Sequence, residues 1–295
     1  MSTGITKTTD LGDTIPTVIE EAMFTKQWGE AVSSLVWRSP KEKGKGSTKS
    51  FPYWGTMTAG TLTEGVDMAS PQKMEDTNVE VTLNEVGVQV LITDNLVEDD
   101  QEDVIRAAGQ IAGRAFVVKQ ETDLTDLFDS GTTSFGGSGE SLTLGMLAGG
   151  RTLLRGGSEP LTGELVAVHH PYTTIDLVDI LTPVTPTTTA TYMGIDTTTG
   201  MAEEVLRNYT IGKVFGMNIV ETGNMTASGT DYKGGIFQTG KGGSIILCEA
   251  RAWENEPERD ASLRATELNI VGRYGVSVYK SAWIAELYND GTAPS

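Results

Sequence analysis

Residues 79–92, VEVTLNEVGVQVLI, constrain the fold more than any other stretch. Val79, Val81 and Leu83 alternate on odd positions, then Val86, Val88, Val90 and Ile92 on even ones. Side chains of a strand change face with a period of two, so the apolar face switches phase at Asn84-Glu85. A bulge or bend there accounts for the switch, and the strand is expected to pass from one environment into another. Residues 93–131 then carry a different period. Val104, Ala108, Ile111, Ala115 and Val118 make one apolar row, widened by Ile105, Ala112 and Phe116, as in a long amphipathic helix. Asp94 or Asn95 suits its start, and Glu98, Asp99, Asp100, Glu102 and Asp103 crowd the end where the helix dipole favours anions. At ~1.5 Å per residue such a helix is on the order of 50 Å long. Gly109 and Gly113 lower helix propensity but permit bending and close approach of a neighbour. The apolar row does not keep clean heptads, which disfavours a coiled coil.

The rest of the chain reads as α+β. Residues 1–14 are a polar arm, and 15–37 hold apolar residues near helical spacing, with Pro16 suited to a first turn and Gly29 to an end. Gly55, Gly60 and Gly65 mark extended, hairpin-like material. Residues 141–156 look helical, and GELVAVHHPYTTIDLVDILTP reads as strand, turn and short helix opened by Pro171. Nine Thr and two Pro among residues 182–200 predict an exposed loop. A helix near 201–208 and strands near 211–222 and 243–253 follow, then a strand alternating on Leu268, Ile270, Tyr274, Val276 and Val278. A middle region at about 160–250 is thus flanked by segments expected to pair with each other.

Composition narrows the function. With 38% hydrophobic residues and five Trp among 295 residues, the chain can build a core. A net charge of −18 is unfavourable for general binding to phosphate backbones. Cys248 is the only cysteine, so no disulfide forms within the chain. No stretch approaches the ~18 apolar residues of a membrane span, and MSTGITKTTD lacks the regions of a signal peptide. Cytoplasmic synthesis is the expectation.

No pattern points to catalysis, a cofactor or a metal. GIFQTGKG at 235–242 has the glycines and Lys241 of a phosphate-binding loop, but Gly242 replaces the hydroxyl residue and a strand follows. A hairpin turn is the reading. His169 and His170 point to opposite faces of a strand and find no third ligand. Cys248 in SIILCEA fits a buried strand rather than a nucleophile.

One stretch runs against the overall charge. Arg38, Lys41, Lys43, Lys45 and Lys49 lie within twelve residues, followed by Phe51, Tyr53 and Trp54. Residues 94–129 carry ten acids against three bases. Two readings stand: a solvated, disordered linker, or a pairing between copies, a cationic arm of one chain on the acidic helix of another.

In element order the chain resembles the major capsid protein of tailed bacteriophages, a fold shared with encapsulins and the herpesvirus capsid floor. FPYWGTMTAGTLTEGVDM running into the valine-rich strand carries most of the resemblance, with GKVFGMNIVETGNM and GRYGVSVYKSAW next. The resemblance implies an N-terminal arm and short helix over 1–40, an extension loop over 41–78, and a peripheral domain with long strand and spine helix over 79–159. It implies an axial domain over 160–250 and a return to the peripheral domain over 251–295, with 79–92 and 264–288 sharing a long sheet. The function implied is structural and not enzymatic: self-assembly into hexamers and pentamers of an icosahedral shell around double-stranded DNA. The alternative is an encapsulin-like compartment holding a cargo enzyme.

Roles then follow by position. Lys41, Lys43, Lys45, Lys49, Phe51, Tyr53 and Trp54 belong to the loop interface, and Glu98, Asp99, Asp100, Glu102 and Asp103 to the acidic helix that receives it. Thr187, Thr188, Thr189 and Tyr192 belong to a loop near the symmetry axes. Gly44, Gly46, Gly55, Gly60, Gly109 and Gly113 are joints that adjust between five- and six-fold settings. The partners implied are further copies of the chain, a portal, a cement protein and loosely held DNA, without membrane. Only about 35 residues precede the loop, so either scaffolding is a separate protein or this is a processed form. The location implied is the virion capsid, after synthesis in a bacterial host's cytoplasm.

Overall fold

A computed structural model describes residues 5–6, 29–42, 44, 46–65, 67, 71–99, 103–181 and 213–293. The elements are β1 (Ile5–Thr6), β2 (Trp37–Pro40), β3 (Thr48–Trp54), β4 (Asp76–Thr82), β5 (Asn84–Thr93), α1 (Asp94–Asp99), α2 (Asp103–Thr125), β6 (Thr133–Gly136) and α3 (Leu144–Gly156). Then come β7 (Leu165–His169), α4 (Pro171–Leu181), β8 (Lys213–Val214), β9 (Met217–Glu221), β10 (Ala227–Ser228), β11 (Asp231–Gln238), β12 (Ile245–Asp260), β13 (Ala265–Val278) and β14 (Ala285–Asp290). The expected helix near 201–208 and loop at 182–200 lie outside the described residues.

The phase switch marks a handover between two sheets. β4 pairs with β3 as far as Thr82↔Thr48, whereas β5 pairs with β13 from Asn84↔Tyr274 onward. Leu83 alone separates them, its N–H donating to the Ser47 carbonyl at 3.0 Å. β5 then enters an outer sheet ordered β1-β5-β13-β12-β2. In that sheet β12 and β13 form one long antiparallel hairpin. β2 covers the rim of β12 only from Ile246 to Glu249. Beyond it β12 bends through two register shifts, and Glu254, Glu256, Pro257 and Glu258 lie exposed on its outer edge.

The central sheet runs β6-β14-β11-β7-β9-β8, with β10 also on β11. β7, Leu-Val-Ala-Val-His, is buried at all five positions, as a strand covered on both faces must be. α3 starts at Thr143, whose hydroxyl accepts from the Met146 N–H at 3.3 Å, and seats Leu147 and Leu154 on this sheet. The last strand departs from expectation. A 3-10 turn at Ser281–Trp283 separates β13 from β14, and β14 pairs with β11. Residues 285–288 therefore leave the outer sheet, while β12 lies wholly within it.

The expected long helix is helical over the described residues Asp94–Asp99 and Asp103–Thr125. α2 covers 23 residues, ~35 Å at the usual rise, and a 3-10 turn over Asp126–Ser130 ends it. Phe116, Leu124 and Phe128 bury its apolar row against Val168, Phe237, Leu247 and Tyr274, joining both sheets in one core. Gly235 lets Phe128 reach β11: a Cβ there would stand 2.7 Å from the ring. Residues 31–36 form a turn, and the helix expected before Gly29 lies outside the described residues.

Candidate assembly surfaces

The β3–β4 hairpin begins as a packed element and continues as an uncovered one. Phe51 is buried with Val81, Leu83, Ile246 and Cys248, and its ring meets Trp37 edge-on at 5.2 Å. Tyr53 sits 5.5 Å from Tyr279. These two aromatics therefore fix the root of the hairpin to the chain's own body rather than tipping an arm. Beyond Tyr53, every described residue from Trp54 to Gly65 and from Pro71 to Asn78 is exposed. Trp54, Met57, Leu62 and Met74 are 62%, 54%, 66% and 62% exposed, respectively. Apolar side chains left this open on one projection make it a candidate contact surface. The limbs are held together by Gly55 N–H to Glu75 carbonyl at 2.9 Å and by the Gln72 amide, which bonds both backbone groups of Thr58.

The cations are likewise nearer home than expected. Lys41 Nζ donates to the carbonyls of Gly46 and Thr48 at 2.9 and 2.6 Å. Lys49 Nζ donates to Ser39 Oγ and the Pro40 carbonyl at 2.8 and 2.5 Å. Both ammoniums staple the crossing from β2 to β3 and do not reach outward. Lys43 and Lys45 lie outside the described residues.

Four of the ten acids between residues 94 and 129 are taken up within the chain. Glu121 is fully buried, and its two carboxylate oxygens accept the N–H groups of Val32 and Ser33, each at 2.8 Å. Asp123 accepts from Tyr274 Oη at 2.7 Å and pairs with Lys119 at 2.5 Å. Burial, and then that carboxylate, push the Tyr274 phenol well above its ordinary range. Asp129 pairs with Lys233, raising the Lys233 ammonium. Asp94 is held by Arg259, bidentate with one contact at 2.7 Å, and that hydrogen bond lowers its carboxyl. The sequence showed these four only as members of an acidic stretch. What it could not show is that distant residues consume them. Glu98 is exposed. Asp99 ends α1 and Asp103 opens α2, while Asp100 and Glu102 lie outside the described residues.

Thr187, Thr188, Thr189 and Tyr192 also lie outside them. Of the glycine joints, Gly60 and Gly109 have open space where a side chain would go, and Gly55 meets only the Glu75 carbonyl at 3.5 Å. Gly44 and Gly46 have positive φ, 88° and 74°. Gly113 serves close packing instead: a Cβ there would lie 2.5 Å from the Trp253 ring, which stacks on Phe116 at 5.7 Å. Residues 239–243 form a turn between β11 and β12, but these strands belong to different sheets, so it is a link and not the hairpin turn expected of GIFQTGKG. His169 is buried, and His170 stacks on Tyr232 at 3.7 Å. Cys248 is buried, which raises its thiol. Among the described residues no cluster of three or more His, Cys, Asp or Glu could hold a metal, and no helix is long and apolar enough to cross a membrane.

No curated protein matches the sequence significantly. Solved structures match its fold. A chain from Mycobacterium phage Che8 is 17% identical and superposes with a TM-score of 0.71, over 93% of this chain and 97% of that one. The capsid of cyanophage P-SCSP1u gives 14% identity and a TM-score of 0.67 over 95% and 94%. The capsid of cyanophage Pam1 gives 12% and 0.69 over 96% and 98%. A family model described as phage capsid protein matches residues 77–286, from β4 through the central sheet to β14. The capsid reading is thereby favoured over the cargo compartment. Two sheets joined by a buried helix and an uncovered hairpin at their margin agree with that match, and the chain belongs to the phage capsid protein family.

Proposed function

We propose that the chain is the major subunit of an icosahedral shell, built from hexamers and pentamers of itself and enclosing double-stranded DNA. The observation that carries this reading is the hairpin over residues 54–78. It projects four large apolar side chains that its own body leaves uncovered, in a member of a capsid family. In this reading the hairpin is the extension loop that overlaps a neighbour, α2 is the spine, and the central sheet forms the part nearest the symmetry axes. Each contact can be weak, because closed symmetry repeats it many times. Gly55, Gly60 and Gly109, where space is open, absorb the difference between five- and six-fold settings. A separate scaffolding protein, a portal and a cement protein complete the partners, and the acidic surface keeps packaged DNA from adhering. Synthesis takes place in the bacterial host. Negative-stain microscopy of the expressed protein tests the reading: closed particles are expected, and a monodisperse monomer at every concentration and salt would overturn it.

A further inference from the structure

The register of the outer sheet sets three charged residues in one row. Arg273 on β13 lies opposite Glu85 on β5 and opposite Arg251 on β12. Like charges directly across a sheet repel. Two of the nearby carboxylates go to Arg251, Glu85 at 2.6 Å and Glu256 at 3.6 Å, and Glu42 also lines the site. The half-buried Arg273 makes no ion pair among the described residues. Beside it stands the Lys41 ammonium, whose carbonyl partners orient it without neutralising it. With the apolar Leu83 and Ala250 these groups line a groove of about 260 Å³. In a chain with 40 acids and 22 bases, an arginine left without a carboxylate breaks the local pattern. Such violations gather at functional sites.

We propose that this groove receives a carboxylate from a second copy of the chain, supplied by Glu64 at the apex of the hairpin. This rests on the assembly reading above and names the surface that receives the loop. Glu64 is exposed and, like Arg273, makes no ion pair among the described residues. The stretch 55–78 carries Glu64, Asp67, Glu75 and Asp76 against Lys73, so its sign is opposite to that of the groove. Ten residues from Gly55 to Glu64 reach at most ~35 Å, enough to cross onto a neighbour. The hairpin thus contributes the anion, the reverse of the polarity that its lysine-rich root suggested. A nucleic acid fits less well, since Glu42 and Glu85 among the lining residues would repel a continuous phosphate backbone more than a single carboxylate.

The test is a charge swap in the full chain, with folding checked by circular dichroism. Arg273→Glu and Glu64→Arg should each reduce the fraction of protein in particles about tenfold, and the double variant should recover to within about twofold of the parent. Single variants that assemble normally, or a double variant no better than the worse single one, would overturn the proposal. A labelled peptide of residues 58–72 gives a readout independent of shell formation. It should bind unassembled parent protein by fluorescence anisotropy, and Arg273→Glu should abolish that binding. Should the parent form no particles while the peptide still binds through Arg273, the groove assignment stands and the shell reading fails. Loss of binding to a DNA duplex in Arg273→Glu, with assembly intact, would assign the groove to nucleic acid and overturn the proposal.

Discussion

Acid should weaken the central sheet through one side chain. His169 ends β7 fully buried, with no partner for Nε2 among the described residues. Its Nδ1 packs close over Gly234, 2.8 Å from where a Cβ would stand, so only glycine fits beneath the ring. The facing residue on β9 is Glu221, whose carboxylate already accepts from Thr174 Oγ1 at 2.5 Å. Burial lowers the His169 pKa from 6.5 to about 4. Above pH 6.5 neither folded nor unfolded chain holds the proton, and His169 adds no pH dependence. As the pH falls from 6.5 toward 4 only the unfolded chain takes the proton up, so stability declines. Below 4 both forms hold it and the loss levels off. A gap of about 2.5 in pKa, at 1.36 kcal/mol for each, makes this loss about 3 kcal/mol. Urea unfolding of unassembled protein, followed by tryptophan fluorescence at several pH values from about 7 to about 4, measures it. Titrating carboxylates act equally in parent and His169→Leu, so the difference between their pH slopes isolates the imidazole. The parent should lose about 3 kcal/mol more than the variant over this window. Equal losses would refute the reasoning.

Other perturbations test separate parts of the structure. Glu121→Ala strands the buried N–H groups of Val32 and Ser33, each costing about 1–3 kcal/mol. Hydrogen exchange at those two amides should accelerate, and unchanged protection would show that another group holds the segment. Gly113→Ala drives a methyl into Trp253 and should cost about 1–3 kcal/mol, with a shifted tryptophan emission as the ring leaves Phe116. Phe128→Ala empties the contact among α2, β7 and β11, and denaturation should record a loss of about 3–5 kcal/mol. Replacing Trp54, Met57 and Leu62 together by Ala should leave thermal unfolding of the monomer within about 0.5 kcal/mol per site while sharply lowering particle yield. Normal particle numbers would remove the hairpin's apolar face from assembly.

What was legible in the sequence was what depends on near neighbours. The phase switch at Asn84-Glu85 reports a change of environment because alternation responds to which face is covered, and Leu83 indeed separates two sheets. β7 and α4 follow from a short apolar run and Pro171. What escaped depends on distant parts of the chain. Nothing local distinguishes Glu121 from its acidic neighbours on α2, because its burial comes from backbone 88 and 89 residues away. Lys41 and Lys49 read as outward cations because a sequence does not show carbonyls turned toward them by the bend before β3. β14 looked like the continuation of β13, since the sequence does not show that the partner strand changes across Ser281–Trp283.

The far half of β12 has a consequence for a protein stored at high density. An uncovered strand rim invites backbone pairing with any similar rim, which leads toward fibres rather than closed particles. Here Pro257 withholds a donor, the acidic side chains along the rim repel an identical rim, and the two register shifts bend it out of line. Along this rim, neighbouring subunits are therefore confined to joining through side chains and loops. Such joints can be broken and remade while a curved surface corrects its errors, whereas a continuous ladder of backbone bonds between molecules would be hard to undo.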